Sequence, residues 1–246
     1  MKPAAKYGIA AAAAIVILGA VGAFFLLGGD SPDEVDLETA VGSVSTTAGS
    51  GDDAEAATSV ADMSGTWTID AETGEFDYET ATGTFAGFRI DEELVNVGAT
   101  EAVGRTGDVT GTVVIDANSV TAADITVDMT TITTNNSRRN SKVQEALATD
   151  QFPTSTFSLT EPIELPDGAA DGEKISVTGV GDLTVNGVTE SIEIPLEAQL
   201  AGDTIVIVGS TEITFADFDV EVPSAPVVLS VSDTGTLELQ LLLTRG

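Results

Sequence analysis

The side chains able to do chemistry are unevenly supplied in this chain: 40 acidic and 9 basic residues, with no histidine and no cysteine among 246 residues. Without histidine, zinc catalysis and histidine-based triads fall away, together with most transition-metal sites. Without cysteine there is neither a disulfide framework nor a lipid-bearing cysteine. Carboxylate chemistry and cationic recognition remain. Asp217, Asp219 and Glu221 alternate and could hold a weak cation, although an acidic surface strand explains the same spacing more simply. Paired carboxylates are the equipment of a glycosidase. Here no pair stands out, and 5% aromatic residues leave few platforms for sugar rings. Arg138, Arg139 and Lys142 form a local cationic cluster. Guanidinium forks suit phosphates and other anionic head groups, whereas a solvated helix end paired with nearby acids is the plainer account. Trp67 could stack on a head group, but a lone Trp at the start of a strand is usually core.

These residues must be positioned by strands. Residues 175–200 centre on Asn186-Gly187, the dipeptide best suited to the two positive-φ positions of a type I′ hairpin turn. With that loop, Val185 faces Val188, Gly181 faces Ile192, Gly179 faces Ile194, Val177 faces Leu196 and Ile175 faces Ala198, all on one apolar face. Thr184–Thr189, Asp182–Ser191 and Ser176–Glu197 occupy the other face. A second two-residue loop at Gly202-Asp203 sets Leu200 against Ile205 and Ala198 against Ile207. Pro195 has no N–H for a ladder, which predicts a bulge or an unpaired edge near Ser210. Gly179 and Gly181 let the sheet bend. Arms of about twelve residues span roughly 40 Å, which suits a tall, curved antiparallel sheet or barrel.

Elsewhere the alternation Val109, Gly111, Val113, Ile115 resumes after a turn at Asn118-Ser119 as Ala123, Ile125, Val127, Met129. Trp67-Thr68-Ile69-Asp70 reads as a strand, Phe76 and Tyr78 as a second short segment, and residues 82–90 as a strand with Phe88 and Ile90 on one side. Residues 138–149 are the one helical candidate, with Val143, Ala146 and Leu147 on a stripe. Pro223 and Pro226 break the chain before two closing strands. The expectation is nine to eleven strands with one inserted helix.

Lys2 and Lys6 precede an uncharged apolar run over residues 7–27. As a helix it would be about 31 Å long, close to the bilayer core of about 30 Å. Val21-Gly22-Ala23 is a passable cleavage site, and secretion after cleavage is the alternative, but the run exceeds a usual signal-peptide core. The expectation is an uncleaved anchor over residues 1–29, with lysines on the cytoplasmic side and the rest outside. Residues 30–63 are rich in Gly, Ser, Thr, Ala and acids without apolar periodicity, and read as a disordered linker. Residues 64–246 form the folded domain. A net charge of −31 repels nucleic acid and suits a salty medium.

The order of Trp67-Thr68-Ile69-Asp70, then Gly83-Thr84-Phe85-Ala86-Gly87-Phe88, then the Arg139 helix leading to Phe152-Pro153-Thr154-Ser155-Thr156-Phe157, resembles the YceI-like family. Gly181-Asp182-Leu183-Thr184-Val185-Asn186-Gly187-Val188-Thr189 extends the resemblance across residues 64–246. Asn186 stands where the family usually has His, Asn140 where an Asp often follows the helix Arg, and Phe215-Ala216-Asp217-Phe218 lacks the Arg of a related family segment. The resemblance implies an all-β, extended antiparallel lipocalin-like barrel holding a polyisoprenoid chain, with no catalytic residues and no cofactor beyond that lipid. Such a barrel is either filled by its own side chains or left with room for one ligand. An inner face of Val, Ile, Leu, Ala and Gly favours space, and any ligand there must be apolar. The lining candidates are Phe85, Phe88, Met129, Val177, Leu183, Ile192, Ile194, Ile207 and Phe215, each of which alone is ordinary core. Head-group candidates are Arg138, Arg139 and Lys142. The leading expectation is a membrane-tethered, extracytoplasmic module binding an isoprenoid lipid (quinone or prenyl phosphate type) as carrier, buffer or sensor. A structural or adhesion β-domain with a filled core is the alternative.

Overall fold

In a computed structural model of the chain, Asn186 and Gly187 turn with φ of 52° and 76°, joining two strands of 11 and 14 residues. Their pairing runs from Val185–Val188 through Gly179–Ile194 to Ile175–Ala198, in the register expected from alternation. The structure describes residues 31–48, 63–72, 76–80, 82–222 and 228–246. The apolar run over residues 7–27 lies outside them. Among the described residues no helix is long and apolar enough to cross a membrane.

Twelve strands appear among the described residues: β1 (Gly65–Ile69), β2 (Phe85–Leu94), β3 (Gly98–Thr106), β4 (Val109–Asp116), β5 (Ser119–Asp128), β6 (Thr154–Leu159), β7 (Ile163–Glu164), β8 (Ile175–Val185), β9 (Val188–Ala201), β10 (Thr204–Thr214), β11 (Val228–Val231) and β12 (Thr234–Arg245). Eight of them close an antiparallel ring in the order β1-β4-β5-β6-β8-β9-β10-β12, sealed by β12 pairing back onto β1. β1 covers only residues 243–245 of β12. The free part, residues 236–240, takes β2, and β2 runs on past the ring with β3 on one side and β11 on the other. With strands tilted by about 40°, the 14 residues of β9 give a wall about 35 Å tall.

The expected edge at Pro195 is present. The β9–β10 ladder ends at Leu196–Gly209, while Pro195 still faces Thr178 of β8. Gly181 has a second role beyond bending: a Cβ there would lie 2.4 Å from the Phe157 ring, so only glycine lets that ring lie against the wall. The β4–β5 turn falls at Ala117-Asn118, one residue earlier than expected, and a register shift between Val114 and Ile115 keeps the apolar faces aligned. Phe76 and Tyr78 sit in a loop rather than a strand. Asp217 lies in a 3-10 turn, Phe215–Phe218, with Asp219 just after it in the left-handed region, so the acids at 217, 219 and 221 do not share a strand face.

Two α-helices are described, not one: α1 (Leu37–Ala48) and α2 (Ser137–Ala146). α1 falls inside the stretch read as an unstructured linker, which is corrected for residues 31–48. The Asp36 carboxylate accepts from the Thr39 backbone N–H at 2.9 Å and the Thr39 hydroxyl at 2.8 Å. Those bonds hold its carboxyl below the usual range and supply the missing acceptor at the helix start. Leu37, Ala40 and Val44 then pack on Val206, Val208 and Leu242 on the outside of the barrel. Half-buried Val41 joins them, so the apolar residues recur three to four apart, and packing of that stripe on the barrel holds a helix too short to stand alone.

Leu37 is 1% exposed. Leu37→Ala should therefore lower the stability of the full chain by about 2 kcal/mol or more. Denaturant unfolding followed by fluorescence of Trp67, the single tryptophan, measures it; an unchanged midpoint would mean that this segment does not pack on the barrel.

Candidate functional site

Alternation decides which side chains enter the barrel. On β12, Leu237, Leu239, Leu241 and Leu243 point inward, while Gln240 and Leu242 point outward; Glu238 shares their parity, with its carboxylate on the arginines outside, and touches the cavity only at its edge. The inner side chains surround a cavity of about 290 Å³, close to the lower end of typical ligand pockets, about 300 Å³. Its middle band is Ile125, Val127, Val177, Ile207 and Leu239, all only half-buried although they face the interior. Outward-facing Val206 and Leu242 are 0% exposed beneath α1. The usual order is inverted: the outer wall here is sealed, and the inner wall borders free space.

Both ends are lined by packed clusters. At one, Trp67, Ile115, Leu165, Ala169, Ile175 and Leu243 close together, with polar Glu173 and Gln199 at the margin of the cavity. Trp67 is core: its indole N–H donates to the Met63 carbonyl at 2.9 Å, and the Arg245 guanidinium lies 5.0 Å from its ring centroid. At the other, Leu183, Val185 and Phe218 form a cluster with Leu147 of the α2 segment. There the cavity continues under α2, lined by Val143, Ala146 and Leu147, and reaches half-buried Ile90, Val222 and Val231. The stripe expected on the helix therefore faces the cavity.

Of the expected lining residues, Phe88, Met129, Val177, Leu183, Ile194, Ile207 and Phe215 border the cavity. Phe85 does not. It shares a face with Arg89 rather than with Phe88 and Ile90, is 0% exposed, and packs against Arg105 and Phe76 outside the ring. Ile192 packs with the Leu183–Phe218 cluster at the α2 end and does not border the cavity. The head-group candidates do not enter the cavity either. Arg139 is held by Glu92 at 2.5 Å and Asn135 at 2.7 Å, Lys142 pairs with Glu145 on the surface, and Arg138 is exposed. Asn186, at the position of the family's His, donates to the carbonyls of Phe218 at 3.3 Å and Asp219 at 3.0 Å. Asn140 accepts from the Thr134 N–H and hydroxyl. Both residues are structural here.

A buried ionic cluster behind the wall escaped the sequence reading. Glu238, 3% exposed, accepts from Arg89 Nε at 2.7 Å and from Arg105 Nε at 2.6 Å. Arg89 also pairs with Glu101 at 2.7 Å. Burial opposes the Arg89 charge, but the hydrogen bonds and charges of Glu238 and Glu101 outweigh it and keep its pKa above the ordinary arginine value. Arg105 is 0% exposed, and its guanidinium carbon stands 4.6 Å from the Phe85 ring centroid. The segment before α1 roofs the cluster: Arg89 Nη2 donates to the Pro32 carbonyl at 2.7 Å and to the Asp33 carbonyl, and Arg105 Nη2 donates to Asp33 at 2.7 Å.

The sequence matches the family described as the YceI-like domain over residues 34–243. Among solved structures, a polyisoprenoid binding domain from Saccharophagus degradans, implicated in plant cell wall breakdown, is similar at 17% identity. It covers 73% of this chain and 98% of its own, with a TM-score of 0.54. BcnA from Burkholderia cenocepacia matches at 21% identity over 64% of this chain and 95% of its own, TM-score 0.49. A YCEI protein from Campylobacter jejuni matches at 18% identity over 58% and 84%, TM-score 0.47. No curated relative matches the sequence.

Removing one partner from a buried ion pair leaves an uncompensated charge. Glu238→Gln should cost about 3–5 kcal/mol, read as a fall in the denaturant midpoint of the full chain. A change of only a few tenths would show that water, not Glu238, solvates the two guanidinium groups.

Proposed function

The chain belongs to the YceI-like domain family, and on that premise we propose that its barrel binds one isoprenoid lipid, of quinone or prenyl phosphate type, as a carrier, buffer or sensor. The observation that carries this reading is the half-buried apolar band, Ile125, Val127, Val177, Ile207 and Leu239, around the interior cavity. Unfilled apolar surface of that kind favours an apolar guest, because burial contributes about 25 cal/mol per Å² removed from water. Lining drawn from both end clusters and from the band between them suits an extended chain better than a compact ring system. The polyisoprenoid binding named for the Saccharophagus domain supports the same ligand class. The reading places the barrel outside the cytoplasmic membrane, held by the apolar run over residues 7–27. Supporting this are the lysines before that run and the acids after it. Binding of this kind needs no catalytic group.

The test is native mass spectrometry with organic extraction on the full chain, purified in lipid nanodiscs from a bacterial host. Wild-type protein should carry an isoprenoid species at close to one per barrel. Val177→Trp or Ile194→Trp, each placing an indole in the cavity, should lose most of it while annular lipids stay constant. Equal isoprenoid content in wild type and both Trp variants would mean that the lipid sits elsewhere. A wild-type barrel that is empty, and stays so with added quinones and prenyl phosphates, would favour a structural β-domain.

A further inference from the structure

Three features converge on one end of the barrel. The first is apolar exposure. Among the described residues only two large hydrophobics are exposed, Phe152 at 39% and Leu229 at 62%. Phe152 follows α2 and lies against the Asn186-Gly187 turn, where a Cβ on Gly187 would come within 2.5 Å of its ring. Leu229 is in β11, between residues that pair with Glu93 and Leu94 at the tip of β2. Since β2 enters the wall at Phe85–Gln240 and leaves it at Arg89–Thr236, that tip projects beyond the α2 end. Both residues therefore mark the end at which the cavity reaches half-buried Ile90, Val222 and Val231.

The second feature is where the described part of the leading segment begins. The Ser31 hydroxyl donates to the Glu101 carbonyl at 2.8 Å, and Glu101 lies opposite Asp91 in the projecting β2–β3 hairpin. Pro32 and Asp33 are then gripped by Arg89 and Arg105. From there the segment runs away along the outer wall, and α1 packs on Val206 and Leu242 toward the Gly202 end. The third feature is chain length. Four Cα–Cα steps separate Leu27, the last residue of the apolar run, from Ser31, and they reach at most about 14 Å. Head groups occupy about 5–8 Å on each side of the hydrocarbon.

We propose that the α2 end of the barrel faces the bilayer and docks on it, with Phe152 and Leu229 set into the head-group region and Arg138 and Lys142 beside them reaching lipid phosphates. The occupant is a phospholipid surface; the proposal rests on the reading of residues 7–27 as the anchor. A span ending at Leu27 leaves too little chain for the opposite end to turn toward the membrane while Arg89 and Arg105 hold residues 32–33. Docking is intramolecular, so a weak contact suffices. Lys142 and Glu145 are 55% and 70% exposed, a surface pair weak enough to exchange for a phosphate. Acids at this end, Asp91, Glu93, Asp150, Asp217, Asp219 and Glu221, are exposed and repel anionic lipid, which makes zwitterionic phosphatidylcholine the probe. Cargo then enters or leaves the cavity on the side where its membrane pool lies.

The chain has no cysteine, so single labels are specific. Leu229→Cys and Phe152→Cys, with Asp203→Cys in the exposed β9–β10 turn as the remote control, are labelled with bimane in the full chain. The proteins are reconstituted in phosphatidylcholine vesicles containing a head-group quencher. The expected result is several-fold stronger quenching at 229 and 152 than at 203. Equal quenching at all three, or stronger quenching at 203, overturns the proposal, as does release of the chain by alkaline carbonate, which removes the anchor. Organic extraction of the same vesicles separates the two readings. Absence of isoprenoid with the quenching pattern intact sinks the lipid-binding function and leaves the docking standing.

Discussion

One carboxylate ties the molecule together. Glu238 sits on the outward side of β12, where an antiparallel barrel would ordinarily present a polar residue to water, and is instead 3% exposed between two guanidinium groups. Arg89 comes from β2 and Arg105 from β3, so the three charges join the strand that closes the ring to the hairpin that extends it. Each arginine also donates from its Nη2 to the leading segment, Arg89 to the carbonyls of Pro32 and Asp33 and Arg105 to that of Asp33. Buried ion pairs contribute little net stability compared with an apolar substitute, but their geometry is exacting. In this barrel that geometry specifies position: where β2 leaves β12, and where the chain before α1 crosses it.

Covering the outside has a consequence for the inside. A sealed outer wall moves apolar burial to Val206, Val208 and Leu242, and part of the folding free energy that an unroofed barrel would need from its interior comes from this second layer. The interior is then free to keep small and medium side chains around open space. Gly179, where an added Cβ would press on Leu196 at 3.3 Å, and the Val and Ile residues facing it leave that space, whereas larger rings there would fill it. A lining that would make a weak core therefore borders open space instead.

How much of this the residues disclose depends on whether the deciding interaction is local. The 175–200 hairpin was legible to the individual pair, because Asn186-Gly187 fixes the loop and a one-residue slip would turn every apolar side chain outward. The α2 stripe was legible for the same reason, through its 3.6-residue period. Phe85 was misplaced because its type was weighed above its parity: two strand positions of one sign, Phe88 and Ile90, already implied that residue 85 faces away. Ile192 has the right parity but lies too near the turn, where end packing replaces the cavity. α1 carries the helical period in Leu37, Ala40, Val41 and Val44, but its Gly, Ser and Thr residues are weak helix formers that read as linker, and the surface it covers decides the outcome. The Arg89–Glu238–Arg105 cluster joins residues 149 and 133 positions apart, and no local period connects them.

The contact between barrel and leading segment is made by main-chain groups, which no side-chain pattern discloses. Pro32 and Asp33 present main-chain carbonyls to the two arginines, so the identity of either side chain is not what is recognised. Hydrogen bonds of this kind are directional and fix position along the chain, while the apolar contacts of α1 are non-directional and supply stability. The division of labour means that the α1 face could change by conservative apolar substitution without moving the point where the chain meets the wall. That point, not the composition of the leading segment, sets where the chain before residue 31 must approach the barrel.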